Sequence, residues 1–193
     1  MHQTLELSDF PGCDLQRLKE NPAYITSILS EREYAVFQIL LKSAHSLNIK
    51  QIQRKLAEIA LLDCRKVWAA PAVLDLLGTK IPALSTQKKR SEALAAHVKT
   101  LREIEEYDGK NRVLAEAEAA KLLSVAPIQL VLTLAQGLGL SIQGEPTIKR
   151  ATSELAAQGL IGRRLMVENE KVGALFFVNP IVRETLQAHK AGK

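Results

Sequence analysis

Three kinds of residue or pattern are scarce in this sequence, and each scarcity narrows what the chain can be. Cysteine occurs twice in 193 residues, at Cys13 and Cys64. Two distant thiols are too few for a disulfide framework or a zinc site, so a reducing, cytoplasmic setting is the expected default. Aromatics number eight, Trp68 with three Tyr and four Phe, and with so much Ala and Leu the balance favours helix over strand. No apolar run approaches the ~20 residues that cross a bilayer. Residues 1–10 lack the basic stretch and apolar core of a secretory signal, so no membrane role is expected. The remaining composition, 47% hydrophobic and 24% charged, excludes wholesale disorder, collagen and a pure coiled coil.

Charge is patchy rather than extreme. Lys and Arg total 26 against 21 Asp and Glu, a formal net charge of +5, which does not by itself imply a nucleic-acid partner. Its distribution says more. Between Lys42 and Lys66 there are six basic residues against Glu58 and Asp63, Lys88-Lys89-Arg90 forms a basic run, and Glu103, Glu105, Glu106 and Asp108 form an acidic one.

The chain reads as helix for most of its length. Asp14 to Glu20 and Pro22 to Leu29 are short helical segments, with Asn21 as a cap and Pro22 at a first helical position. Ser30 and Glu33 have the spacing of a capping box, predicting a helix from Glu31 to Ala44 with Phe37, Leu40, Leu41 and Ala44 inward. Asn48 can cap the next helix, whose stripe is Ile49, Ile52, Leu56 and Ile59. Short helices are expected over Asp63–Ala70 and Pro71–Leu77, stopped by Gly78. Leu84 and Ser85 would staple and cap a long helix, Thr86–Tyr107, with Leu94, Val98, Leu101 and Ile104 on one side. Asp108-Gly109-Lys110-Asn111 is the strongest stop. It suggests two domains, 1–110 and 111–193.

Beyond it come an Ala-rich helix, Leu114–Leu123, and a second from Pro127 to about Gln136, followed by Gly137, Gly139 and Gly144. Pro146 opens a helix over Thr147–Gln158 that Gly159 ends, with Ile148, Ala151 and Leu155 inward. The period then changes from helical to alternating. Leu160–Val167 and Val172–Val178 read as two strands about the polar turn Glu168–Lys171, and Asn179-Pro180 leads into a closing helix, Ile181–Ala188. The expected fold is mainly α: a helical N-terminal half plus a C-terminal domain with a single β-hairpin.

Helix, Gly-Leu-Ile, then a two-stranded ribbon is the order of a winged helix-turn-helix domain, and residues 145–164 resemble the recognition helix and first wing strand of that superfamily. Ala174-Leu-Phe-Phe-Val-Asn-Pro180 is similar to plasmid replication proteins of the RepL type. The resemblance implies DNA binding by the exposed face of the helix, Thr147, Lys149, Arg150, Thr152 and Ser153, and by the wing, Arg163, Arg164 and Lys171. One departure stands out: Leu138 to Gly144 is too broken for the short helix that precedes a recognition helix. Either the helices from Leu114 and Pro127 take that role, or the domain is atypical. Ser30–Ser43 and Ile49–Ala60 again resemble the first two helices of such a domain, yet no wing follows them.

Secondary DNA candidates are Lys50, Gln51, Arg54 and Lys55, whose plain alternative is a solvated helix face. Lys88, Lys89 and Arg90 join them, since cations in a helix's first turn oppose its dipole and suggest a partner. His2, His45, His97 and His189 have no carboxylate or cysteine at ligand spacing, and Gly-x-Ser-x-Gly and the phosphate loop are absent. Gly137, Gly139 and Gly144 do not make a dinucleotide fingerprint. No catalytic residue, metal or cofactor is expected. The implied function is non-enzymatic double-stranded DNA binding in replication or transcription control, with mobile elements one setting. The alternative is a winged-helix protein-interaction subunit of a nucleoprotein complex. The N-terminal half would supply protein partners or a homodimer seam along Leu94, Val98, Leu101 and Ile104, unless that stripe packs within its own chain.

Overall fold

A computed structural model describes residues 14–63, 75, 88–108, 112–168 and 171–191. The helices expected over 64–77, the staple at Leu84–Ser85, both cysteines, Trp68 and the stop at 109–111 lie outside them, apart from a helical Asp75. Among the described residues the chain is mainly α. The helices are α1 (Leu15–Glu20), α2 (Tyr24–Ile28), α3 (Glu31–Lys42), α4 (Ile49–Asp63), α5 (Lys88–Asp108), α6 (Arg112–Val125), α7 (Ile128–Gly137), α8 (Glu145–Ala157) and α9 (Pro180–Ala191). The two strands, β1 (Ile161–Glu168) and β2 (Lys171–Val178), pair antiparallel where the alternation predicts a hairpin.

The helix boundaries follow from local chemistry. Ser30 Oγ accepts the Glu33 N–H and Glu33 Oε2 accepts the Ser30 N–H, closing the expected capping box at α3. Asn48 and Gln51 make the equivalent reciprocal pair at α4, at 2.8 and 2.9 Å. α8 ends at Gly159, whose φ of +68° is open to glycine at no steric cost. The Leu160 N–H returns to the Leu155 carbonyl and the Gly159 N–H to that of Ala156, a Schellman closure sealed by buried Leu155 and Leu160. Asn179 turns β2 into α9: it is buried, its Nδ2 donates to the Gly159 carbonyl, and its Oδ1 accepts the Ile181 N–H.

The chain divides into two compact units, and the first is discontinuous. It takes residues 1–53 and 143–193, while residues 54–142 form the second. In the first unit α3 packs on α8 and on β2, α8 on β1, and α1 on α9. Leu47, between α3 and α4, pairs with Phe176 as an isolated antiparallel bridge, so β2 has β1 on one side and Leu47 on the other. Arg183 Nη2 donates to the Leu40 and Ser43 carbonyls and so closes the C-terminal end of α3. Buried Val36, Phe37, Leu40, Ile52, Ile148, Leu155, Ile161 and Val178 belong to this unit.

The second unit has its own core, built from Ala57 and Leu61 of α4, Leu94, Val98 and Leu101 of α5, and the apolar sides of α6 and α7. The break expected at residues 109–111 therefore falls inside this unit, between α5 and α6, which pack on each other. Leu94, Val98 and Leu101 are buried in this intrachain core, the packing weighed as the alternative to a homodimer seam, and the Ile104 side chain lies outside the described residues. The helices from Leu114 and Pro127, weighed above as neighbours of the recognition helix, instead build this separate core. α4 also departs from its expected stripe: Ile52 is buried, but Ile59 is 42% exposed, and Ala57 and Leu61 are the buried positions further on. The helix serves the first unit with its early turns and the second with its later ones, so no single stripe describes it.

Candidate nucleic-acid interface

The site grows out of α8. Ile148, Ala151 and Leu155 are buried and leave Lys149, Arg150 and Ser153 exposed, the division a 3.6-residue period imposes. Glu145 sits in the first turn, where its charge suits the helix dipole, and Pro146 follows where no intrahelical donor is needed. Thr152 departs from the expected polar face. It is 1% exposed and its hydroxyl donates to the Lys149 carbonyl at 2.9 Å. At 100° per residue it stands only about 40° from Ile148, on the buried side. Ser153 donates to the same carbonyl at 3.0 Å but stays exposed.

Lys149 and Arg150, neighbours in sequence, point about 100° apart and line different depressions. Arg150 and half-buried Thr147 line one of about 400 Å³ together with Glu31, Arg32 and Glu33 of α3. The Arg150 guanidinium, 84% exposed, lies 3.4 Å from Glu154, a pair worth little in water. Lys149 lines a larger open groove of about 990 Å³ with Lys50 from the first turn of α4 and Arg163 from β1, backed by Ala174 and Phe176 of β2. Lys50, Lys149 and Arg163 are all exposed, and none has a carboxylate at ion-pair distance among the described residues. Among the described residues, Glu145 is the one acidic member of that lining. Three unneutralised cations and the positive end of α4 make a concavity that favours an anion.

The hairpin separates the two arginines expected to act together. Arg163 pairs across the ladder with Phe176 and shares its face, whereas Arg164 projects to the other side and stacks over Phe177 at 6.0 Å. Lys171 opens β2 opposite Glu168, its side chain outside the described residues.

The secondary candidates divide. Lys55 is exposed, and Gln51 is exposed with its carbonyl oxygen committed to the α4 cap. Arg54 is structural. Its Nε lies 2.6 Å from Glu58 and its Nη2 donates to the Leu123 and Ser124 carbonyls, closing the end of α6. Lys88, Lys89 and Arg90 occupy the first turn of α5, their side chains outside the described residues.

One polar constellation was invisible in the sequence. His97 Nδ1 of α5 lies 2.5 Å from the Glu118 carboxylate of α6, and Lys121 is 3.2 Å from its other oxygen. Burial pushes the Glu118 carboxyl up, but the hydrogen bonds from His97 and Lys121 and their charges outweigh it and hold it below the usual carboxylate value. No sequence spacing signals a pair formed across two helices. Among the described residues no cluster of three or more His, Cys, Asp or Glu is placed to hold a metal ion, and no helix is long and apolar enough to cross a membrane.

Compared with protein-family models, with curated proteins and with solved structures, the chain finds no match in any of the three.

Proposed function

We propose that the protein binds double-stranded DNA without chemistry of its own, in replication or transcription control, and that its discontinuous unit is a winged helix. In this reading α3 and α4 are the first two helices, Leu47 is the short strand between them, α8 is the recognition helix, and β1 and β2 form the wing. Residues 54–142, which begin with the later turns of α4, are then an insertion ahead of the third helix. The missing short helix before α8 is supplied by α4, from the other side of the insertion. The observation that carries the reading is the convergence of Lys50, Lys149 and Arg163 on one groove beside α8. Phosphate oxygens would be held by those cations, and base edges read by exposed Lys149, Arg150 and Ser153.

Fluorescence anisotropy on a labelled random duplex, with and without unlabelled competitor, tests this directly. Binding that competitor duplex reverses supports the reading. No binding at micromolar protein in low salt overturns it, because non-specific affinity alone would be visible there.

A further inference from the structure

Leu165 is 62% exposed, one of three large apolar side chains so exposed among the described residues. A single exposed leucine means little in general; its place in the hairpin gives this one meaning. Alternation along β1 puts Ile161, Arg163 and Leu165 on one face, opposite Val178, Phe176 and Ala174. That face starts in the core, where Ile161 and Val178 are buried, and runs outward through a cation that lines the groove to a bare leucine. Ala174, directly across the ladder, is too small to shield it. Leu165 therefore stands proud of the ribbon. Two residues along a strand span roughly 7 Å, about the rise of two base steps in a duplex.

Resting on the DNA-binding reading above, we infer that Leu165 is an apolar wedge: with Arg163 on the backbone, its side chain enters the minor groove, parts a base step and bends the duplex. Charge complementarity commits the occupant to DNA, since the cations beside Leu165 have no acidic partner within the described chain. Insertion of an apolar side chain unstacks one step and kinks the duplex by roughly 20–90° toward the major groove. Pyrimidine–purine steps yield most easily, so the inference also predicts a preference for sites with a TA or CA step under the wing.

The test is end-to-end energy transfer on a doubly labelled 30-base-pair duplex saturated with the unmodified protein, Leu165→Ala or Leu165→Phe. The expected result is higher transfer with the unmodified protein and with Leu165→Phe, and transfer near that of free duplex with Leu165→Ala while its affinity falls less than about tenfold. Circular dichroism checks that both variants are folded, as expected for so exposed a position. Binding without any change in transfer, or an equal change with Leu165→Ala, overturns the wedge and leaves the DNA reading standing. Failure of the unmodified protein to bind duplex overturns both.

Discussion

Leu47 and Phe176 exchange a reciprocal pair of backbone hydrogen bonds, 2.9 Å from the Leu47 N–H and 2.8 Å from the Phe176 N–H, although they come from opposite ends of the chain. Both side chains are buried. The bridge ties the segment between α3 and α4 to the hairpin, so it holds Lys50 of α4 near Arg163 of β1. Leu47→Ala and Phe176→Ala should each destabilise the first unit, by about 2–5 kcal/mol. Residues in contact do not act independently, so the double variant should fall short of the sum, with a coupling of about 0.5–3 kcal/mol. Urea denaturation of the four proteins measures it, and strict additivity would show that the two ends do not support each other.

Gly159 offers a sharper local test. Its left-handed φ is required where α8 hands over to β1, and an alanine there meets Cβ strain of about 1–2 kcal/mol. Gly159→Ala should lower the melting temperature and weaken duplex binding together, since the groove has Lys149 on one side of this turn and Arg163 on the other. An unchanged melting temperature would contradict the part assigned to this turn.

Such features were legible because they are local. Ser30 with Glu33, Gly159 after an apolar period, and alternation from Leu160 to Val178 each declare themselves within a few residues. The burial of Thr152 was legible too, but only by counting its angle from Ile148. What the sequence concealed is non-local. That α3 and the early turns of α4 belong with α8, with residues 54–142 between them, depends on pairings such as Leu47 with Phe176 that no spacing encodes. The stripe through Ile59 misleads because a helix contributing to two cores has no single inner face. Lys50, Lys149 and Arg163 were each visible as candidates, but grouping Lys149 with Arg150, and Arg163 with Arg164, followed chain neighbours. Helix and strand geometry turns such neighbours apart.

Arg54 and Arg183 illustrate cations whose work is within the fold. Each donates to two carbonyls at a helix C-terminus, Arg54 at α6 and Arg183 at α3. Arg54→Ala should cost about 1.5–3 kcal/mol, and Arg54→Lys should recover little of it, because a point ammonium cannot reproduce the planar guanidinium fork. Duplex affinity of the folded Arg54→Lys protein should stay within about twofold. A large loss of affinity at unchanged stability would return Arg54 to the interface.

Glu118 predicts an acid limb of stability. Its carboxyl is held below the ordinary value of 4.5, so the unfolded chain takes up the proton first as pH falls. The stabilisation is therefore fully present above the unfolded value and is lost as pH drops through the lower folded one. Urea midpoints measured between about pH 3 and pH 7 should fall at the acid end for the unmodified protein and more shallowly for Glu118→Gln. Parallel curves for the two proteins would remove Glu118 from the acid response.

The groove itself is tested most directly by the salt dependence of duplex affinity. Each phosphate neutralised contributes about −0.9 to the slope of log affinity against log salt, so three contacts predict a slope near −3. Lys50→Ala, Lys149→Ala and Arg163→Ala should each flatten it by about one, and the folded triple variant should lose most of its affinity at low salt. A triple variant that melts like the unmodified protein and binds duplex with the same affinity and slope would contradict the assignment of this groove to DNA.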